Sequence, residues 1–352
     1  MTTNVTLREV AQEAGVHVST ASRALNPETR AIVNPETAER IQAAAERLGY
    51  RPHPLARALR TQRTLTIGMT VPNLANPIFP MIYAGAGASL AAQGYALVVG
   101  SDSFLASTSN PDETASGAAA FLSDRVDGWI ITEAHMDSIL PERIARDNVP
   151  IVLVNRLADL IPAPSITTDD SAAIRLVVDH LVDLGHTAIA HLAGPDDVSS
   201  GAIRRQAFVD SMESHGLDVP DGLVAKADAF RTAAGRESCE ALLDSGQEFT
   251  AIVAACDLLA LGCYDALKSR GIDVPKDVSV TGYDDMQLVD RMSPPLTTVA
   301  VPFYEMGAAA GKVMLSLLTD PDTVTETIDE VSPQLMPTLQ VRQSTAPPPT
   351  AR

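Results

Sequence analysis

The chain has 352 residues, 45% of them apolar, and a formal net charge of −18 at neutral pH. Two or three domains with a sizeable core fit that length, and the apolar runs are strand-sized, well short of the roughly 20 residues that cross a bilayer. The opening MTTNVTLREVAQ carries no apolar signal region, which argues against export, and the scattered Cys239, Cys256 and Cys263 lack metal or disulfide spacing, which fits a reducing cytoplasm.

The charge is unevenly distributed. Residues 1–63 hold nine arginines and six acidic residues, a net of +3, and the remainder holds 17 basic and 38 acidic residues, a net of −21. A basic head on an acidic body confines phosphate affinity to the head, although an acidic surface also simply keeps a protein in solution.

Thr6 and Glu9 read as a capping box that opens a helix. Leu7, Val10, Ala11 and Ala14 then form one apolar stripe, and Gly15 stops it. A second short helix is predicted from about Val18 to Leu25, with Ala21, Ala24 and Leu25 inward. The tight turn between the two suits a helix-turn-helix. A third helix opens at Asn34-Pro35, carries Ala38, Ile41, Ala45 and Leu48 inward, and ends at Gly49. Three small helices can be a purely structural bundle. The face left outward on the second, Val18, Ser19, Ser22 and Arg23, favours a major-groove reader. In the following segment, 52–64, Leu55, Ala58 and Leu59 give one apolar edge. Arg51, Arg57, Arg60 and Arg63 favour DNA contact over a plain linker.

From Leu65 the pattern alternates. Strand-sized runs (Thr66–Val71, Ala96–Gly100, Gly128–Thr132, Ile151–Val154, Ile189–Ala193, Ala251–Ala255, Val278–Thr281) lie between helix-length segments, several ended by glycine (Gly94, Gly185, Gly216, Gly271). Such alternation implies parallel sheets with helices on both faces, with ligands at the carboxyl ends of the strands. The length suits two lobes.

The runs TLREVAQEAGVHVSTASRALN and NPETAERIQAAAERLGYRP, followed by LARALRTQRT, resemble the headpiece of the LacI/GalR family of bacterial repressors. RVDGWII, LVNR, HLVDLGHTAIAHLAGP, VPKDVSVTGYDD and PPLTTV are similar to that family's core signatures, in family order. The resemblance implies an N-terminal all-α helix-turn-helix headpiece (1–51), a hinge helix (52–64) and an α/β core (65–343). That core would be two periplasmic-binding-protein-like lobes with parallel sheets, about 65–163 plus 294–325 and 164–293 plus 326–343. The polar, Pro-rich end, 344–352, reads as a disordered tail.

On this resemblance Val18 and Ser19 open the recognition helix and read bases, with Arg23 also in the major groove. Thr6, Thr20, Ser22 and Asn26 contact phosphates or brace the fold. Ala56 and Leu59 enter the minor groove, a wedge that kinks DNA, and Arg51 and Arg60 meet phosphates. For a small effector, the resemblance assigns Arg204 to ligand hydroxyls or a carboxylate, Asp284 to sugar hydroxyls and Phe230 to the ligand ring. Asn73, Asn76 and Phe79 are the first-lobe contacts, and Asp169 is a looser match. The chain departs from the pattern at His17, where a serine cap is usual, and at 26–33, about two residues longer than common. His53-Pro54 is also unusual, and Cys256 and Asp257, which the resemblance also places at the effector, stand where Asn-Asp is usual; a thiol is a weaker donor and acceptor than an amide.

The expectation is therefore a homodimeric, cytoplasmic, nucleoid-associated repressor of operator DNA, controlled by a small polyhydroxylated effector such as a sugar, with no cofactor, no metal and no membrane contact. An enzyme on the same architecture would need a catalytic constellation. Gly85-Ala86-Gly87 lacks the third glycine of a dinucleotide fingerprint and sits inside a predicted helix. His180, His186 and His191 do not share a face for a metal. A periplasmic binding protein would need an export signal and no headpiece.

Overall fold

The computed structural model describes residues 5–26, 29–50, 63–100, 125–132, 135–136, 149–320 and 334–349. They fall into two units, Met1–Thr64 and Leu65–Arg352.

In the first unit, α1 (Leu7–Glu13), α2 (Val18–Ala24) and α3 (Pro35–Leu48) form where the caps indicate. The Thr6 backbone and hydroxyl both donate to Glu9 Oε2, at 2.6 and 2.8 Å, and Glu9 N–H donates back to Thr6 Oγ1. Asn34 Oδ1 accepts from Glu36 N–H, and Gly49 closes α3 in the left-handed region. The core is small and alanine-rich: Val10, Ala11, Ala14, Ala21, Ala24, Ala38, Ile41, Ala44 and Ala45. Short side chains let three short helices approach closely, and Arg40 fixes the corner by donating to Ala14 O at the end of α1.

Among the described residues, the second unit contains two six-stranded sheets. The chain runs β1 (Thr66–Thr70), α4 (Ile78–Ala91), β2 (Ala96–Gly100), β3 (Gly128–Ile131), β4 (Ile151–Val154) and β5 (Ser165–Thr168). It continues through α5 (Asp170–Asp183), β6 (Ile189–Ala193), α6 (Ser199–Ser214), β7 (Val224–Lys226), α7 (Thr232–Asp244) and β8 (Ala251–Ala254). Then come α8 (Asp257–Ser269), β9 (Ser279–Asp284), β10 (Thr297–Ala300), α9 (Phe303–Thr319), β11 (Gln334–Leu335) and β12 (Thr338–Gln340). The first sheet has the order β11-β5-β4-β3-β1-β2 and is parallel throughout. The second, β12-β10-β9-β8-β6-β7, is parallel except at β12. Central strands such as β4, β8 and β9 are buried along their whole length, as helices on both faces require. In each sheet the strand order reverses at the first strand, β1 or β6, and a doubly wound sheet opens its crevice there.

Sheet membership corrects the expected lobe boundaries. Strand β5 pairs with β4, so the first lobe extends past 163 to Thr168. Strand β10 pairs with β9, so the second lobe extends past 293 to Ala300. Strand β11 pairs with β5, so the last crossing falls between Leu335 and Thr338 and not at 325. These short segments have little pattern of their own. Their lobe is decided by the strand that receives their hydrogen bonds.

The expected disordered tail is also corrected, as far as residue 349. Ser344 is fully buried, its hydroxyl donates to Val280 O at 2.6 Å, and it accepts from Thr297 N–H at 2.8 Å. Ala346 O accepts from a His186 ring nitrogen at 2.8 Å and from the Ser279 hydroxyl. Proline content signals the lack of helix or ladder, but backbone groups paired one by one with core side chains hold a segment equally well.

Candidate functional site

On the headpiece, the outward face of α2 presents Ser19 and Arg23 exposed and Thr20 and Ser22 half-buried. Val18 is half-buried and leans on the headpiece core. His17 does serve as the helix cap, although histidine is a poor cap by type: its Nδ1 accepts from Ser19 N–H and lies 2.8 Å from the Ser19 hydroxyl. Ser19 is thereby held at the first turn. Thr29 donates to Arg23 O at 3.0 Å and closes the other end of the helix, and Asn26 is half-buried beside it in sequence. Thr6 is committed to its capping box, and the hydrogen bonds from its backbone and then its hydroxyl hold the Glu9 carboxyl below the usual range. Arg51, Ala56, Leu59 and Arg60 lie outside the described residues.

In the core, residues at the carboxyl ends of seven strands enclose a cavity of about 270 Å³. The first lobe contributes Asn73, Asn76 and Phe79 after β1, His135 after β3, and Asn155 and Arg156 after β4. The second lobe contributes Asp197 and Arg204 after β6, Asp228, Phe230 and Arg231 after β7, Cys256 after β8 and Asp284 at the end of β9. Seven of the nine residues expected at an effector thus come together: Asn73, Asn76, Phe79, Arg204, Phe230, Cys256 and Asp284.

Arg204 is the best-anchored of them. It is 5% exposed, donates from Nε to Asp170 Oδ1 at 3.1 Å and from Nη1 to Ala255 O at 2.8 Å, and lies 3.6 Å above the Tyr283 ring. Tyr283 donates its hydroxyl to the same Asp170 oxygen. Burial works against the charged guanidinium, but Asp170 foremost outweighs it, and the group stays protonated. Asp284 sits opposite in character. It is 5% exposed with φ of 117°, a strained value for a residue with a side chain, and its carboxyl receives no hydrogen bond from the described residues. Burial first, then the neighbouring Asp257 and Asp170, push its pKa well above the carboxylate range, against the pull of Arg204. Cys256 is buried, and burial together with Asp284 pushes its thiol up, so the wall there is a neutral sulfur.

Phe230 reaches the cavity because Gly194 has no side chain: a Cβ there would lie 2.4 Å from the ring. Asn76 turns its Oδ1 back to accept from Ile78 N–H at the start of α4. Contacts between described residues tie the two lobes across the cleft. His135 Nδ1 is 2.9 Å from Asp197 Oδ2, Met136 N–H donates to Asp197 O, and Leu157 N–H donates to Ser199 Oγ at 2.8 Å.

The other two expected residues lie behind the wall. Asp169 caps α5 by accepting from Ala172 N–H at 2.8 Å, and its neighbour Asp170 is the residue that meets Arg204. Asp257 is fully buried, accepting from the Thr298 hydroxyl at 2.6 Å and from Met286 N–H at 2.9 Å. Burial pushes its pKa up to about 7. Sequence reading missed His135, Asn155, Arg156, Asp197, Asp228 and Arg231. The LVNR run that holds Asn155 and Arg156 was visible, and its position after a strand was the one available signal. Among the described residues no metal-binding cluster of His, Cys, Asp and Glu occurs, and no helix is long and apolar enough to cross a membrane.

Known proteins match both units. A model of bacterial regulatory proteins of the lacI family matches residues 6–53, and a periplasmic binding protein-like domain matches 178–345. The ribose operon repressor of Escherichia coli (strain K12) is 32% identical over 348 residues, covering 96% of this chain and 99% of that protein. The lac repressor dimer bound to operator and the anti-inducer ONPF superposes with a TM-score of 0.79 at 28% identity, covering 97% of this chain and 99% of that one. A complex of the transcriptional regulator CelR with cellobiose gives 0.70 at 28% identity, covering 97% and 100%. With a helix-turn-helix headpiece, two doubly wound lobes and full-length likeness to such repressors, the chain belongs to the LacI family of bacterial regulatory proteins and is a transcriptional repressor, not an enzyme.

Proposed function

We propose that this repressor binds a near-palindromic operator as a homodimer, in the cytoplasm, and that a small polyhydroxylated effector, a sugar, controls its operator affinity from the cleft between the core lobes. One observation carries the reading: Arg204, Phe230 and Asp284 of the second lobe share one cavity with Asn73, Asn76 and Phe79 of the first. An aromatic face flanked by a carboxyl and a guanidinium suits a hydroxylated ring, and a ligand that touches both lobes favours one lobe angle. It shifts the DNA-binding equilibrium only by the difference in its affinity for the two angles. The solved CelR relative holds cellobiose, and the lac repressor relative is a dimer on operator, which supports both parts. In this reading Val18, Ser19 and Arg23 read bases, Thr6, Thr20, Ser22 and Asn26 meet phosphates or brace the headpiece, and the hinge around Ala56 and Leu59 transmits the lobe angle. Asp169 and Asp257 act only through the wall they support.

Asp284→Ala is expected to abolish the ligand response while operator binding stays nearly intact. Leu59→Ala is expected to weaken operator binding while ligand affinity stays. Operator titrations and calorimetry with a sugar and nucleoside panel measure both. Unchanged ligand affinity in Asp284→Ala would place the pocket elsewhere.

A further inference from the structure

All three cysteines fall in the second lobe, and folding sorts them. Cys256 is on the cavity wall. Cys239 on α7 and Cys263 on α8 are fully buried, and the Cys239 thiol donates to Cys263 Sγ at 3.4 Å. The contact between the two helices brings them together. A Cβ on Gly235 would lie 2.4 Å from Leu259 O, and one on Gly262 would lie 2.0 Å from Thr232 O. Cys239 follows Gly235 by one turn and Cys263 follows Gly262 directly, so both thiols leave backbones in close approach.

The sulfur separation decides what the pair can do. Two metal–sulfur bonds of about 2.3 Å at a tetrahedral or wider angle need the sulfurs roughly 3.8 Å or more apart. The pair would have to spread inside a closed core to admit an ion, and no group of three metal-binding side chains occurs among the described residues. A disulfide needs the sulfurs closer, at about 2.05 Å, and adds no atom to the core. The hydrogen bond with Cys239, and then burial, push the Cys263 thiol well above its usual pKa. A thiolate, not a thiol, attacks an oxidant. The pair therefore rests as two thiols, and oxidation waits for a transient parting of α7 and α8.

We propose that Cys239 and Cys263 are a reversible oxidation site, which a hydroperoxide closes to a disulfide that cross-links α7 to α8. One thiolate attacks the distal oxygen of the hydroperoxide and breaks the O–O bond. This leaves a sulfenic acid and an alkoxide, or hydroxide from hydrogen peroxide, that takes up the proton the thiol lost. The second sulfur attacks the first, the S–S bond forms and water leaves. Two thiols are oxidised and one hydroperoxide is reduced. A dithiol reductant reverses the closure by exchange, which suits the transient disulfides of a reducing compartment. The cross-link also reaches the cavity wall, because α8 begins at Asp257, directly after Cys256.

The test treats the full-length protein with millimolar hydrogen peroxide, alkylates it in denaturant and digests it after acidic residues. Glu237, Glu240, Glu248, Asp257 and Asp265 then separate the three cysteines. The expected product joins the Cys239 and Cys263 peptides, two hydrogens lighter than their sum, with Cys256 alkylated. Dithiothreitol should restore three alkylated cysteines, and urea below the unfolding midpoint should speed the closure. The pairing itself reports the folded lobe. In an unfolded chain the shorter loop is favoured, and Cys256 is 7 positions from Cys263 where Cys239 is 24 away. Oxidation should raise the urea midpoint by roughly 0.5–1 M, reversibly, and Cys239→Ala should remove that rise. A native cross-link to Cys256 overturns the proposal. So do separate sulfinic acids at Cys239 and Cys263, or three alkylated thiols after peroxide with and without sub-denaturing urea.

Discussion

Two buried titratable residues pull stability in opposite directions with pH. Asp257 is held near pH 7 in the folded chain by burial, against about 3.9 in an unfolded one. Its contribution is fully present below about pH 3.9 and is lost as pH rises toward 7, because the folded state keeps a proton that the unfolded state has released. His191 stacks on Phe208 with ring centroids 4.7 Å apart and donates from Nδ1 to Val253 O. Burial depresses its pKa to about 4, against about 6.5 unfolded. Its contribution is present above about pH 6.5 and is lost as pH falls toward 4. Urea unfolding between pH 4 and 7 should separate them. Relative to the parent, Asp257→Asn should show stability that falls less, or rises more, with increasing pH, and His191→Phe the opposite. Parallel profiles for all three proteins would mean that neither group changes its protonation on folding. The same burial explains why Asp257 braces the wall: its carboxylate fills space that a Cβ on Gly282 would occupy, 2.1 Å from Oδ1.

At the scale of elements, each lobe is built round a close helix pair. Helices α4 and α9 meet through glycines: a Cβ on Gly85 would lie 1.9 Å from Tyr304 O, and one on Gly307 would lie 2.0 Å from Ile82 O. Helices α7 and α8 meet likewise, where a Cβ on Gly262 would lie 2.0 Å from Thr232 O. The neighbours here are backbone atoms, which yield only if a whole helix moves. Gly307→Ala is therefore expected to cost about 1–3 kcal/mol, as overpacking does. Gly87→Ala, on the same helix as Gly85, meets nothing nearer than Leu97 at 4.0 Å. It should be neutral or stabilising by up to about 1 kcal/mol, since alanine suits a helix interior better than glycine. Chemical denaturation of the pair checks this, and equal losses would show that helix approach is not what these positions control. In the Gly85-Ala86-Gly87 run, Gly85 serves the helix contact, and the run lies inside α4 and opens no phosphate loop.

For the whole molecule, the charge division bears on how DNA is found. A headpiece segment of net +3 joined to a body of net −21 offers few phosphate contacts per chain, so one headpiece alone gains little affinity and the body repels DNA at short range. Two headpieces on paired half-sites recover both affinity and register. Sedimentation at micromolar concentration should show a dimer, and an operator cut to one half-site should bind far more weakly than the full site. A monomer bound tightly to a single half-site would sink that reading.

The headpiece was legible from the sequence because its helices are fixed by bonds within about four residues. Thr6 with Glu9, Asn34 with Pro35, and Gly15 and Gly49 each act on their own turn, and the structure places the helices there. The buried strands were legible for a different reason, since short apolar runs such as Ile151–Val154 and Ala251–Ala254 recur between helix-length segments. The pocket was legible through the family resemblance, which assigned Arg204, Phe230 and Asp284 but passed over Asn155 and Arg156 in the LVNR run. Tertiary structure alone decided the rest. Asp169 and Asp170 are the same residue type side by side, yet the first caps a helix and the second reaches Arg204, 34 positions away. Asp257 and Asp284 both follow or end second-lobe strands, yet one turns inward to Thr298 and the other lines the cleft. Asn155, at φ of 66°, His135 and Asp197 reach the cavity through loops whose course no local pattern fixes. The lobe of β5, β10 and β11 and the anchoring of Ser344 were likewise set by hydrogen bonds between segments far apart in the chain. Short-range bonding chose the elements, and the direction in which a side chain leaves a strand end, which depends on everything packed beneath it, chose the site.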